Sequence, residues 1–148
     1  MAWAYSTGDN NTTIASKHSG PSGNYGWLLT RAAATDDTEW RVSENGTAWN
    51  GGGGVNDSWE INTWTHVAGV YDSANLRLYL DNVADAGVFP VSVTGNINDS
   101  GLDLRVGYRA PNEEPMIGTL NEVQIHTAGR SADWIASEYA QTNNNATF

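Results

Sequence analysis

The 148 residues contain no cysteine, which excludes a disulfide framework, thiolate nucleophiles and cysteine-bound zinc. Positive charge is scarce. Seven Lys and Arg stand against 17 Asp and Glu, for a formal net charge of −10. A chain this acidic repels phosphate backbones and anionic lipid surfaces, so neither nucleic acid nor membrane insertion is expected. No apolar run is long enough to span a bilayer, and no basic patch followed by an apolar stretch marks a signal peptide. Met1 stands directly before strand-like sequence. The chain is therefore expected to be a module excised from a larger protein, with any targeting signal outside it.

What the sequence does have is glycine, polar turn residues and tryptophan: 16 Gly and seven Trp. Short strands joined by polar turns have this composition. The length suits one domain with one core. The hairpin from Trp64 to Asp81 is the clearest element: Leu76, Leu78 and Leu80 share one face, and Arg77, Tyr79 and Asp81 the other. Asp72–Asn75 supplies its turn. Tyr25–Arg31 and Glu39–Ser43 also alternate, with Trp27, Trp40 and Trp64 assigned to the core. Leu102–Val106 reads as a strand with Leu102, Leu104 and Val106 inward, and Leu120–His126 as another. Asn45-Gly46 marks a tight turn. Gly51–Gly54 cannot hold a strand and reads as a loop. The one helix begins after Ser131, with Ile135 and Tyr139 as its docking stripe and Trp134 beside them.

Three segments carry a family resemblance. Trp64-Thr65-His66-Val67-Ala68-Gly69-Val70-Tyr71-Asp72 with Leu76–Asn82, then Ile117–His126, then Arg130–Tyr139, resemble in order the core hairpin, penultimate strand and closing helix of laminin-G-like, concanavalin A-like jelly-roll domains. The resemblance implies an all-β, two-sheet antiparallel sandwich with one short C-terminal helix, a single domain over residues 1–148. It also implies an extracellular module that binds carbohydrate, protein or lipid, in some members beside calcium. The family's usual first strand, which pairs with the C-terminal one, is missing from this reading because the chain starts at the strand of Trp3. The edge so exposed is open to self-association. Asn121 stands where the family often has Asp, which weakens a conventional calcium site.

Enzymatic readings find little support. The family's glucanases carry Glu-x-Asp-x-Glu on one strand, and here Glu122 stands alone. Gln124-Ile125-His126 matches three letters of a lyase motif without the partners that would move protons. His18, His66 and His126 have no metal-ligand spacing. The expected function is a noncatalytic carbohydrate-binding or adhesion module. A structural or protein-interaction module pairing through an open sheet edge, and a polysaccharide hydrolase or lyase, are the alternatives. Sugar sites combine flat aromatic rings with planar polar groups. The residues of that kind are Trp49 and Trp59 beside the glycine run, Arg77 and Tyr79 on the polar face of the hairpin, and Tyr108 and Arg109 at the start of a proline-bounded loop. Arg41 and Arg105 lie on similar faces. For Trp49 and Trp59, ligand contact and packing stand as equal readings. Asp36, Asp37, Asp57, Asp72, Asp99 and Asp103 lie in or beside turns, where a structural calcium could be held or where aspartate simply suits the turn.

Overall fold

A computed structural model describes residues 1–19, 23–33, 37–50, 59–109 and 114–143. Its strands are β1 (Ala2–Ser6), β2 (Thr12–His18), β3 (Tyr25–Ala32), β4 (Asp37–Val42), β5 (Trp64–Tyr71), β6 (Asn75–Leu80), β7 (Val83–Ala84), β8 (Val91–Ser92), β9 (Arg105–Val106) and β10 (Gly118–Asn121), followed by the helix α1 (Ala132–Asn143). They form two sheets of antiparallel strands. The first runs β10-β1-β5-β6-β7 with β8 also on β6, and the second runs β4-β3-β2-β9. The expected sandwich with one closing helix is what the chain adopts.

The alternation in the sequence explains the layers. Ala2, Ala4, Val67, Leu76 and Leu78 turn inward from the first sheet. Ile14, Leu29, Trp40 and Val42 meet them from the second. Trp40 also ties the sheets together. Its ring lies against Gly69, where an added Cβ would sit 2.7 Å from the ring, and its Nε1 donates to the Val70 carbonyl at 3.0 Å. Only glycine permits that approach. Arg31 is buried at one end of the core and donates to the carbonyls of Trp59 and Asn10 and to Asp9 Oδ1.

The outer face of the first sheet is closed by α1. Ser131 caps the helix by accepting the Trp134 amide, and Ile135 enters a second cluster with Ala68, Val70 and Tyr79. Tyr139 stacks on Trp3 at 5.5 Å, and Trp3 Nε1 donates to Thr142 Oγ1 at 2.8 Å.

Several expectations are corrected. β1 is not an exposed edge: it lies between β10 and β5 and pairs with both. Trp64 is 39% exposed and meets Tyr5 rather than the core. The strand expected over Leu102–Val106 is ordered as a pair only at Arg105–Val106, and Leu104 and Val106 stay exposed. The strand expected to reach His126 stops at Asn121, because Glu122 takes a left-handed φ of 49°. Gly51–Gly54 lies outside the described residues.

Candidate functional site

The structure divides the residues expected to contact ligand among three places. Trp59 is wholly buried at 0% exposure and belongs to the inter-sheet core. It offers no face to a ligand: its ring fills space between the sheets, and its carbonyl accepts from Arg31 Nε at 3.1 Å. Tyr79 is 5% exposed because α1 covers the face that alternation marks as polar. Arg77 shares that sheet but pairs with Asp72 at the β5–β6 hairpin. It is on the other layer from the remaining residues.

Trp49, Tyr108 and Arg109 are associated with the second sheet. The loop after β4 presents Trp49. Asn45 Oδ1 accepts the amides of Thr47 and Ala48, Gly46 takes φ 74°, and the Asn50 amide returns to the Val42 carbonyl at 2.9 Å. The turn read from Asn45-Gly46 is thus the device that holds Trp49. The Trp49 ring lies parallel to Tyr25, 4.8 Å between centroids and 12° between planes. Both rings touch His18 at 4.9 Å. Trp49 and Tyr25 remain half-buried.

The chain after β9 crosses the outer face of the second sheet. Ser16 Oγ donates to the Tyr108 carbonyl at 3.2 Å, and the Thr13 amide donates to the Glu114 carbonyl at 3.1 Å. Arg109 pairs with Glu114 at 2.7 Å. Arg41 pairs with Glu39 at 2.6 Å, on the face of β4 opposite Trp40 and Val42. Tyr108 is exposed, with the Arg105 guanidinium 5.5 Å from its ring centroid.

Electrostatics join these groups into one site. Burial holds the Glu39 carboxyl above the usual carboxylate range, with Glu114 and Asp37 adding to the rise and Arg41 and Arg109 opposing it. Burial, with the Arg109 charge adding to it, lowers His18 to about 4. His18 is therefore neutral at pH 7, and its buried Nδ1 has no hydrogen-bond partner among the described residues. The result is an aromatic rim of Trp49 and Tyr25 beside two carboxylate–guanidinium pairs. Flat apolar rings next to planar donors and acceptors suit a polyhydroxylated ligand.

A family model described as the concanavalin A-like lectin/glucanases superfamily matches residues 1–136. The chain belongs to this superfamily. Its name joins lectins with glucanases, so membership is compatible with binding and with hydrolysis. No curated protein matched the chain.

The superfamily's enzymatic side directs attention to carboxylates. Glu122, the only acid on the expected last strand, is exposed just beyond β10. Gln124 and His126 bond each other at 3.2 Å, Gln124 reaches Glu138 and His126 meets Arg130. That network braces α1. As for calcium, Asp72 is committed to Arg77 and to the amides of Ala74 and Asn75, and Asp99 to Lys17 and the Gly101 amide. Asp36 and Asp57 lie outside the described residues. No group of three His, Asp or Glu ligands gathers among the described residues.

Sequence reasoning missed His18, Tyr25, Glu39 and Glu114 as members of the site. The alternation of Glu39 and Arg41 against Trp40 and Val42 was the available signal.

Proposed function

We propose that the chain is a noncatalytic carbohydrate-binding or adhesion module of an extracellular protein, and that it holds a glycan on the outer face of its second sheet. The supporting observation is the stacked Trp49–Tyr25 pair beside the Arg109–Glu114 and Arg41–Glu39 pairs. A pyranose ring lies on the exposed part of the aromatic pair through its C–H face. Hydroxyls of the next sugar units along the sheet donate to Glu39 and Glu114 and accept from Arg41 and Arg109. Tyr108 bounds the same site. Membership of a lectin/glucanase superfamily supports this ligand class.

One observation favours the enzymatic alternative: Glu39, held above the ordinary carboxylate range, shares its cluster with Glu114. Glycoside hydrolysis uses two carboxyls, one of them a general acid held above its ordinary range. Glu39 and Glu114 each already pair with a guanidinium, however, which engages a carboxyl oxygen that acid–base work would need free.

Retention on polysaccharide-containing native gels, followed by reducing-sugar analysis of the same mixtures, tests the proposal. Retention that saturates without product, and survives chelator, is the expected result. Product release that disappears in Glu39→Gln would establish the enzyme reading instead. Silence across neutral, acidic and amino-sugar polymers would remove glycan binding.

A further inference from the structure

The alternation of Leu102-Asp103-Leu104-Arg105-Val106 suits a five-residue strand, yet β9 is paired at only two of those positions, Arg105 with Ser16 and Val106 with Ala15. β9 is an edge of the second sheet, and among the described residues no strand lies on its other side. The Gly107 amide donates to the Ile14 carbonyl at 2.9 Å. That bond flanks the Val106–Ala15 pair, so Val106 turns its own amide and carbonyl away from β2, and alternation turns those of Leu104 the same way. Among the described residues nothing bonds to the Leu104 backbone.

The side chains match this open edge. Leu104 is 46% exposed and Val106 43%. The edge strand of the first sheet, β10, lies on the same flank, because the Met116 amide just before it donates to the Gly107 carbonyl at 2.7 Å. Ile117 is exposed there as well. On the other face of β9, alternation sets Asp103 beside Arg105. Arg105 stands over the Tyr108 ring, and neither Asp103 nor Arg105 forms an ion pair among the described residues.

We propose that two copies of the chain pair antiparallel through β9, about a two-fold axis at Leu104. The sequence is complementary to itself in that register. Leu104 meets Leu104 of the second copy, Leu102 meets Val106, and Asp103 meets Arg105 at two symmetric crossings. The backbone agrees: Leu104, whose amide and carbonyl face outward, forms the hydrogen-bonded pair. Asp103 and Arg105 then form the closer pairs, with Cα atoms about 4.5 Å apart. Charges on an edge strand deter unrelated strands. One charge of each sign, in this order, favours a strand of the same pattern running the opposite way, which a second copy supplies. Pairing extends β9 back toward Leu102, buries Leu104 and Val106 against their counterparts, and joins the two second sheets into one. Both outer faces then point the same way.

Sedimentation equilibrium of the parent and of two variants, Asp103→Arg and Arg105→Asp, tests this. Each copy carries −10 overall, so the measurement is made at physiological salt, which confines repulsion to about 8 Å. The parent dimerises, and its Leu104 amide exchanges more slowly as concentration rises, while the Gly107 amide, already bonded to β2, does not change. Either variant alone sets like charges opposite each other twice and weakens its own dimer by about tenfold or more. Mixed in equal amounts, the two variants place Arg opposite Asp at both crossings, and a dimer of one copy of each forms with the parent's affinity. A parent that stays monomeric at millimolar concentration overturns the proposal. So does a variant that dimerises as tightly as the parent, or a mixture that associates no better than its components.

Discussion

Trp49 and Trp59 flank the same glycine run and are indistinguishable by local pattern, yet their replacement by alanine has opposite consequences. Trp59 is fully enclosed between the sheets. Trp59→Ala removes its transfer free energy and leaves a cavity lined by the rest of the core, a loss of about 3–5 kcal/mol. Total stability of a domain is about 5–15 kcal/mol, so the variant loses a large share of it. At about 3 °C per kcal/mol for a chain of this size, the melting temperature falls by roughly 10–15 °C. Among the described residues, the rings that Trp49→Ala leaves without a partner face are Tyr25 and His18. Aromatic pairs contribute about 0.5–1.5 kcal/mol each, so Trp49→Ala lowers the melting temperature by roughly 3–9 °C. Differential scanning calorimetry of the two variants measures both. Equal losses, or a larger loss for Trp49→Ala, would refute the assignment of Trp59 to the core and Trp49 to the rim.

The other predictions concern pH, the inter-sheet contact and a loop anchor. His18 and His66 are both lowered to about 4, chiefly by burial. Between pH 6.5 and 4 the unfolded chain binds protons that the folded chain refuses, so stability falls through this window, by up to about 3 kcal/mol per histidine, and the loss levels off below pH 4. Urea unfolding at pH 7 and pH 4.5 checks this; an unchanged midpoint would contradict it. Gly69→Ala forces its new methyl onto the Trp40 ring and costs about 1–3 kcal/mol by overpacking; a variant that melts like the parent would show the sheets closing some other way. Asp85 is buried and accepts the amides of Gly87, Val88 and Phe89. Asp85→Ala strands those donors and loosens the seat of Phe89, for about 1–3 kcal/mol in urea unfolding.

The fold was legible where burial imposed a period. Leu76 and Leu78 alternate with Arg77 and Tyr79 because one face of β6 meets the core, and that hairpin anchors the first sheet. Alternation says which side a residue occupies, not what covers it: Tyr79 is on the predicted side yet buried, because α1 returns over it. Trp59 was not legible, since the glycines before it carry no period. The end of β10 was not legible either, because the left-handed turn falls on Glu122, a residue with no preference for it. The site was half visible. Trp49, Tyr108 and Arg109 announced themselves by type and by turn signals. His18, Tyr25, Glu39 and Glu114 come from separate segments; strand pairing, such as Leu28 with Arg41 and His18 with Tyr25, brings the first three onto one face, and the bond from the Thr13 amide holds Glu114 beside them.

The most direct test of glycan binding at this face is calorimetric titration with an oligosaccharide of whichever polymer retains the chain, comparing the parent with Trp49→Ala and Arg77→Ala. The account predicts that Trp49→Ala weakens binding at least about tenfold, some 1.4 kcal/mol, and that Arg77→Ala, on the other sheet, binds as the parent does. Full affinity in Trp49→Ala, or its loss in Arg77→Ala, would place the ligand elsewhere and contradict the central claim.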